Sequence, residues 1–194
     1  MSDTITIDLL RHGRTQADDV FRGVTDIPLN DEGWQQMLAA TGEDRWDSVV
    51  SSPLSRCAGF AHYVATSQDI NLRIDENFKE YDFGQWDGQT YDAVMATQEA
   101  AVRQFFANPE ENTPPGGESY PLFRERVITA WEQVIESSSV NDKRLIVCHG
   151  GVILVILAHI LEVKDVHGKV KLPYASRTRI EVHAESGAYL VSHR

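Results

Sequence analysis

Thr4 to Leu10 is an apolar, β-branched run that stops abruptly at Arg11-His12-Gly13. A short apolar run closed by a turn signal predicts a buried strand. Residues 14 to 30 show little periodicity and contain Gly23 and Pro28, which predicts a long loop over the end of that strand. Loops of that length tend to be functional. Asn30 is placed to cap a helix in which Trp34, Met37, Leu38 and Thr41 follow helical spacing. Trp46 to Ser51 predicts a second strand ended by Pro53, Ser55 to Ala65 a helix, and Leu72 to Ile74 a third short strand. Strands alternating with helices in this way imply a parallel sheet.

The periodicity weakens from Asp75 to Gly117, where Phe78, Tyr81, Phe83, Trp86 and Tyr91 cluster and a helix is predicted near Glu99 to Ala107. Residues 75–118 therefore read as a cap-like insertion over the strand ends. Ser119 is placed to cap a long helix with Pro121 in its first turn and Phe123, Val127, Ala130 and Val134 on one face. The polar run 137–142 ends it. Arg144 to Cys148 is another buried strand, again followed by His149-Gly150-Gly151. Val152 to Leu161 is apolar but half the length of a membrane span, so it reads as a buried helix. Thr178 to His183 and Tyr189 to Ser192 are strand-like. The fold expected is a single α/β domain over 1–194, a three-layer αβα sandwich with a mostly parallel sheet and a small inserted cap.

Charge narrows the partners. A net charge of −11 argues against nucleic acid or an anionic membrane surface, and requires that any anionic substrate meet a local cluster of arginines. Cys57 and Cys148 have no ligand-like spacing, so neither a disulfide framework nor a zinc site is expected, and a reducing cytoplasm fits. The polar N-terminal residues do not resemble a signal peptide. No cofactor is called for.

The chemistry lies in the repeated device, a buried strand ending in His-Gly, at His12 and at His149. Carboxyl ends of strands are where ligands bind in open α/β sheets. A glycine beside each histidine lets backbone approach a bound group. Arg11 supplies a planar, permanent charge suited to phosphate oxygens. These features together suggest phosphate chemistry carried by histidine, with a small phosphomonoester as partner.

On these residues the chain resembles the histidine phosphatase superfamily, in the branch that includes phosphoglycerate mutases, over Ile5 to about Ile160. The resemblance implies that His12 is the nucleophile, forming a phosphohistidine, and that His149 donates to the phosphoryl oxygens in the transition state. It implies that Arg56, in Ser51-Ser-Pro-Leu-Ser-Arg56, grips the same phosphate as Arg11, with Gly150 beside them. Glu80, in Glu80-x-x-Phe83-Gly84-x-Trp86-x-Gly88, matches the family's proton-donor segment. Asp18, Arg22 and Gly23 are candidates for substrate contact, although Arg22 reads more readily as a surface residue and Gly23 as architecture. Three departures from the family pattern bear on specificity. Arg14 replaces a usual Glu, Asp18 a usual Asn, and Cys57 and Phe60 stand where Ala and Thr are common. Arg14 and Asp18, four residues apart, are expected to pair. The alternatives are a mutase or broad-specificity sugar phosphatase, a metal hydrolase using the two histidines, and a noncatalytic module that binds phosphorylated ligands.

Overall fold

The computed structural model describes residues 4–164 and 166–194. Six strands, β1 (Thr4–Arg11), β2 (Ser48–Ser51), β3 (Asn71–Ile74), β4 (Lys143–Cys148), β5 (Arg177–His183) and β6 (Gly187–His193), form one sheet in the order β3-β2-β4-β1-β5-β6. Strands β3, β2, β4 and β1 pair in parallel, and β5 and β6 extend the β1 edge antiparallel. Five α-helices, α1 (Asp31–Thr41), α2 (Ser55–Gln68), α3 (Tyr91–Ala107), α4 (Tyr120–Glu136) and α5 (Gly150–Ile160), and two short 3₁₀ turns, Glu76–Phe78 and Gly84–Trp86, complete the described elements.

The side-chain period of a strand explains the layers. In β4, Leu145 and Val147 pack with Met37 of α1 and Cys57, Phe60, Ala61 and Val64 of α2. Ile146 and Cys148, on the other face, pack with Val127, Ala130, Trp131 and Val134 of α4 and Val152, Ile153 and Ile156 of α5. All four strand residues are fully buried. A strand covered on both faces reads as an unbroken apolar run rather than an alternation; Leu145–Cys148 of β4 has that appearance, whereas the run of β1 is interrupted by the buried Asp8. Each large side chain buried this way contributes about 1.5–3 kcal/mol to folding. The outcome is an αβα sandwich, as the alternation of elements predicts.

Several local expectations need revision. Strand β2 starts at Ser48, and Trp46 lies ahead of it with its indole N–H donating to Asp8 at 2.9 Å. Ser119 occupies the cap position of α4 but makes no side-chain capping bond, whereas Asn30 does cap α1 through Gly33 N at 2.8 Å. The helix expected near Glu99–Ala107 begins at Tyr91, where Thr90 accepts from Ala93 N, and is kinked at Gln98 (φ −136°, ψ 29°). Its first half buries only Val94, leaving little apolar stripe to read. Residues 75 to 118 thus comprise two short 3₁₀ turns, this kinked helix and the loops that join them.

Candidate active site

The register of the central strands creates the site. Arg11 stands opposite Cys148 in the β1–β4 pair, and His12 N donates to Cys148 O at 3.0 Å, so the residues that follow the two strands emerge together. The His12 and His149 rings lie edge to face, centroids 5.3 Å apart. His12 is 3% exposed and His149 fully buried.

The two imidazoles are held in defined states. His12 Nδ1 is 2.8 Å from Gly13 O, a pure acceptor, so this nitrogen carries the proton and Nε2 carries the lone pair. Arg56 Nε, a pure donor, reaches His149 Nδ1 at 3.3 Å; the proton of neutral His149 therefore sits on Nε2, 2.7 Å from Ser52 Oγ. Burial, then Arg56, then Arg11 hold the His12 pKa well below the usual imidazole value. Burial and Arg56 do the same for His149, with His12 adding to the effect. Both rings are neutral near pH 7.

Arg56 is fully buried at the start of α2. Leu54 cannot cap that helix, and Asp26 reaches across instead, its Oδ1 accepting from Ser55 N at 2.7 Å and Ser55 Oγ at 2.8 Å. The guanidinium donates to Thr25 O at 2.9 Å and Gly23 O at 2.6 Å. Gly23 is not among the residues lining the cavity. Arg56 and His149 lie outside that lining as well; a Cβ at Gly23 would lie 2.1 Å from Tyr81 O, so the residue serves close packing and its carbonyl orients Arg56.

Glu80 joins from the insertion. Its carboxylate accepts from Tyr81 N and from Gly151 N, each at 3.1 Å, the latter at the start of α5. A Cβ at Gly151 would fall 2.4 Å from Glu80 Oε1, so any larger residue there would push the carboxylate out of this position. Gly150 is not under that constraint; a Cβ would meet Arg11 at an ordinary 3.5 Å. Arg126, which sequence reasoning missed, fastens the segment. It donates to Asn77 O, Lys79 O and Glu80 O at 2.7–3.0 Å and pairs with Glu118 at 2.6 Å.

A cavity of about 390 Å³ opens over His12 and is lined by Arg11, Asp18, Arg22, Glu80 and Gly150 at its polar end. Its other wall includes Phe83, Tyr91, Phe105, Phe106, Tyr120 and Leu154. Trp86 belongs to the core, at 1% exposure. Arg22 is no surface residue: its side chain is 8% exposed and donates to Ala17 O, Asp18 O and the Tyr174 hydroxyl. Tyr174 was also missed. Its ring lies 4.7 Å from the Arg11 guanidinium and 5.9 Å from the His12 ring, and Arg11 donates to Leu172 O nearby. Arg14 and Asp18 pair at 3.2 Å, as their spacing suggests. Cys57 adjoins His149, but burial pushes its thiol pKa up and keeps it protonated, which is unsuited to a nucleophile. Among the described residues no group of three or more His, Cys, Asp and Glu side chains is arranged to hold a metal ion.

Neutral imidazoles set among buried guanidiniums at the carboxyl edge of the parallel strands form a cluster suited to an anionic group. The chain belongs to the histidine phosphatase superfamily (branch 1), whose sequence pattern it matches over residues 7–193, well beyond the span the motifs alone suggested. It is 30% identical over 162 residues to the bifunctional protein Rv2228c of Mycobacterium tuberculosis, covering 80% of this chain and 41% of that protein. It thus spans about two-fifths of the length of that relative. Uncharacterised phosphatase PhoE of Bacillus subtilis is 31% identical (78% of this chain, 75% of that one), and the adenosylcobalamin/α-ribazole phosphatase of Escherichia coli 25% identical (79% and 77%). Among solved structures, YhfR of Bacillus stearothermophilus shares the fold with a TM-score of 0.88 at 24% identity, covering 96% of this chain and 95% of that one. No helix among the described residues is long and apolar enough to cross a membrane.

Proposed function

We propose that the protein is a phosphomonoesterase that hydrolyses a small phosphorylated metabolite through phospho-His12. The observation that carries this reading is the tautomer and charge of His12: a buried neutral ring whose Nδ1–H is committed to Gly13 O, leaving the Nε2 lone pair for phosphorus. Nε2 attacks, the bond from phosphorus to the ester oxygen breaks, and Glu80 in its acid form gives that oxygen a proton. The ring gains positive charge as it is phosphorylated, which strengthens its bond to Gly13 O. Arg11 and Arg56 offset the phosphoryl charge, and His149 turns its Nε2–H from Ser52 to a phosphoryl oxygen. Water then attacks phosphorus, Glu80 takes its proton, the P–N bond breaks, and inorganic phosphate leaves with His12 restored.

Hydrolysis is favoured over mutase action because a mutase must retain its intermediate and exclude water, whereas this insertion is compact: 68 residues separate Glu80 from His149. For the substrate we propose α-ribazole 5′-phosphate, in cobalamin assembly within the cytoplasm. Its aromatic base would face Tyr91, Phe105 and Phe106, and the E. coli relative bears that activity in its name. A screen of phosphomonoesters, with His12→Ala as control, tests both levels. Free phosphate release should exceed transfer between phosphoglycerates, and α-ribazole phosphate should surpass simple sugar phosphates in kcat/KM. Efficient mutase activity would overturn the class, and preference for a sugar phosphate would overturn the substrate.

A further inference from the structure

Asp18 and Arg22 are the charged residues of the cavity that the proposed reaction does not use, apart from His167 beside Tyr120. Two arginines near a phosphate site ordinarily offer a second place for an anion, as a phosphorylated acid would require. Here their charge is already matched. Arg14 is held by Asp18 at 3.2 Å and by Glu32 at 3.1 Å. Arg22 donates to Ala17 O, Asp18 O and Tyr174, and its Nη2 lies 3.8 Å from the Asp18 carboxylate. Tyr174 donates its hydroxyl to Asp18 Oδ1 at 3.3 Å while its ring lies against Arg11 and His12, so Asp18 stands one tyrosine away from the nucleophile. The Asp18 side chain remains 39% exposed.

We infer that Asp18 is a specificity-determining residue: it neutralises Arg22 in the cavity wall, and Arg14 beside it, and so selects phosphomonoesters whose organic part carries no second anionic group. This deepens the phosphatase reading and rests on it for the site, but it concerns which ligand is admitted rather than the bonds broken. The selection is electrostatic and steric at once. A ligand carboxylate would meet the exposed Asp18 oxygen and find both guanidiniums engaged, while an uncharged ring meets the aromatic wall without loss. Asp18→Asn removes the carboxylate beside Arg22 and so leaves the charge of that guanidinium to a ligand carboxylate, while Arg14 keeps its pair with Glu32.

The test compares phenyl phosphate with 4-carboxyphenyl phosphate, which differ by one distal carboxylate. Their kcat/KM ratio is read in wild type, Asp18→Asn and Asp18→Glu, and their Kd ratio in a His12→Ala background with and without Asp18→Asn. Wild type should favour phenyl phosphate by about five- to tenfold, the scale expected for like charges within a Debye length near a protein surface. Asp18→Asn should bring the ratio close to one or invert it, and Asp18→Glu should retain the preference. Raising salt should shrink the wild-type preference, which a purely structural role would not do. Equal use of the two esters by wild type, or a ratio unmoved by Asp18→Asn, would overturn the inference. Absence of turnover would count against the phosphatase reading alone, because the Kd ratio in the His12→Ala pair still decides the role of Asp18.

Discussion

Gly151→Ala isolates the contribution of Glu80 without touching its carboxyl group. The new Cβ would lie 2.4 Å from Glu80 Oε1, and real Cβ atoms essentially never come closer than 3.0 Å to a neighbour, so the carboxylate must retreat by more than half an ångström. It then loses register with the Gly151 N–H that holds its other oxygen at 3.1 Å. A misplacement on the order of 1 Å costs about 10² in rate, and a positioned acid is worth about 10² to 10⁴ in all. Gly151→Ala should therefore lower kcat on an alkyl phosphate by roughly 10², approaching the loss in Glu80→Gln. Stability should stay within about 1 kcal/mol of wild type, because alanine is favoured over glycine in a helix and Phe123, at 3.3 Å from the new methyl, needs to yield only slightly. Steady-state kinetics with alkyl and nitrophenyl phosphates, beside urea unfolding, gives the answer. The loss should be smaller for nitrophenyl phosphate, whose leaving group needs less protonation. Adding Gly151→Ala to Glu80→Gln should cost little more. A Gly151→Ala enzyme within threefold of wild type on the alkyl ester would refute the placement of Glu80 as the proton donor.

Both histidines have folded pKa values below their unfolded ones, so the unfolded state binds more protons below about pH 6.5 and stability falls as pH drops through that value. Stability should therefore fall between pH 7.5 and 5.5, and urea unfolding of His12→Gln should show a shallower pH dependence than wild type over that window. Asp8→Ala removes a fully buried carboxylate that takes two bonds from Arg179 and one from Trp46. It should destabilise the fold by about 3 kcal/mol, seen by calorimetry as a Tm lower by roughly 6–12 °C. Arg126→Met frees the backbone of residues 77–80 and should reduce kcat more than it raises KM, with the deficit smaller on nitrophenyl phosphate.

The parts legible in the sequence were those with a local cause. Strands buried on both faces announce themselves as runs rich in apolar and β-branched residues, and Arg11-His12-Gly13 and His149-Gly150-Gly151 mark where two such runs stop. The Arg14–Asp18 pair follows from spacing alone. The first half of α3 was missed because a surface helix burying only Val94 has almost no apolar period, although Thr90 gave a capping signal. Tyr174 and Arg126 were missed for a different reason. Tyr174 reaches Arg22 and Asp18 across more than 150 residues of chain, and most of the partners of Arg126 are backbone carbonyls, which leave no trace in side-chain pattern. Arg22 looked like a surface residue because one of its partners is that same distant tyrosine and the others are backbone carbonyls.

The central claim is a covalent phosphoryl group on His12. Rapid mixing of the enzyme with a phosphomonoester that it turns over, quenching in base to spare the P–N bond, and intact-mass and peptide analysis address it directly. The account predicts one phosphoryl group on His12, present transiently in wild type, accumulated in Glu80→Gln and missing from His12→Ala. Turnover by Glu80→Gln with His12 unmodified at every time point, or a phosphoryl group on another residue, would contradict it.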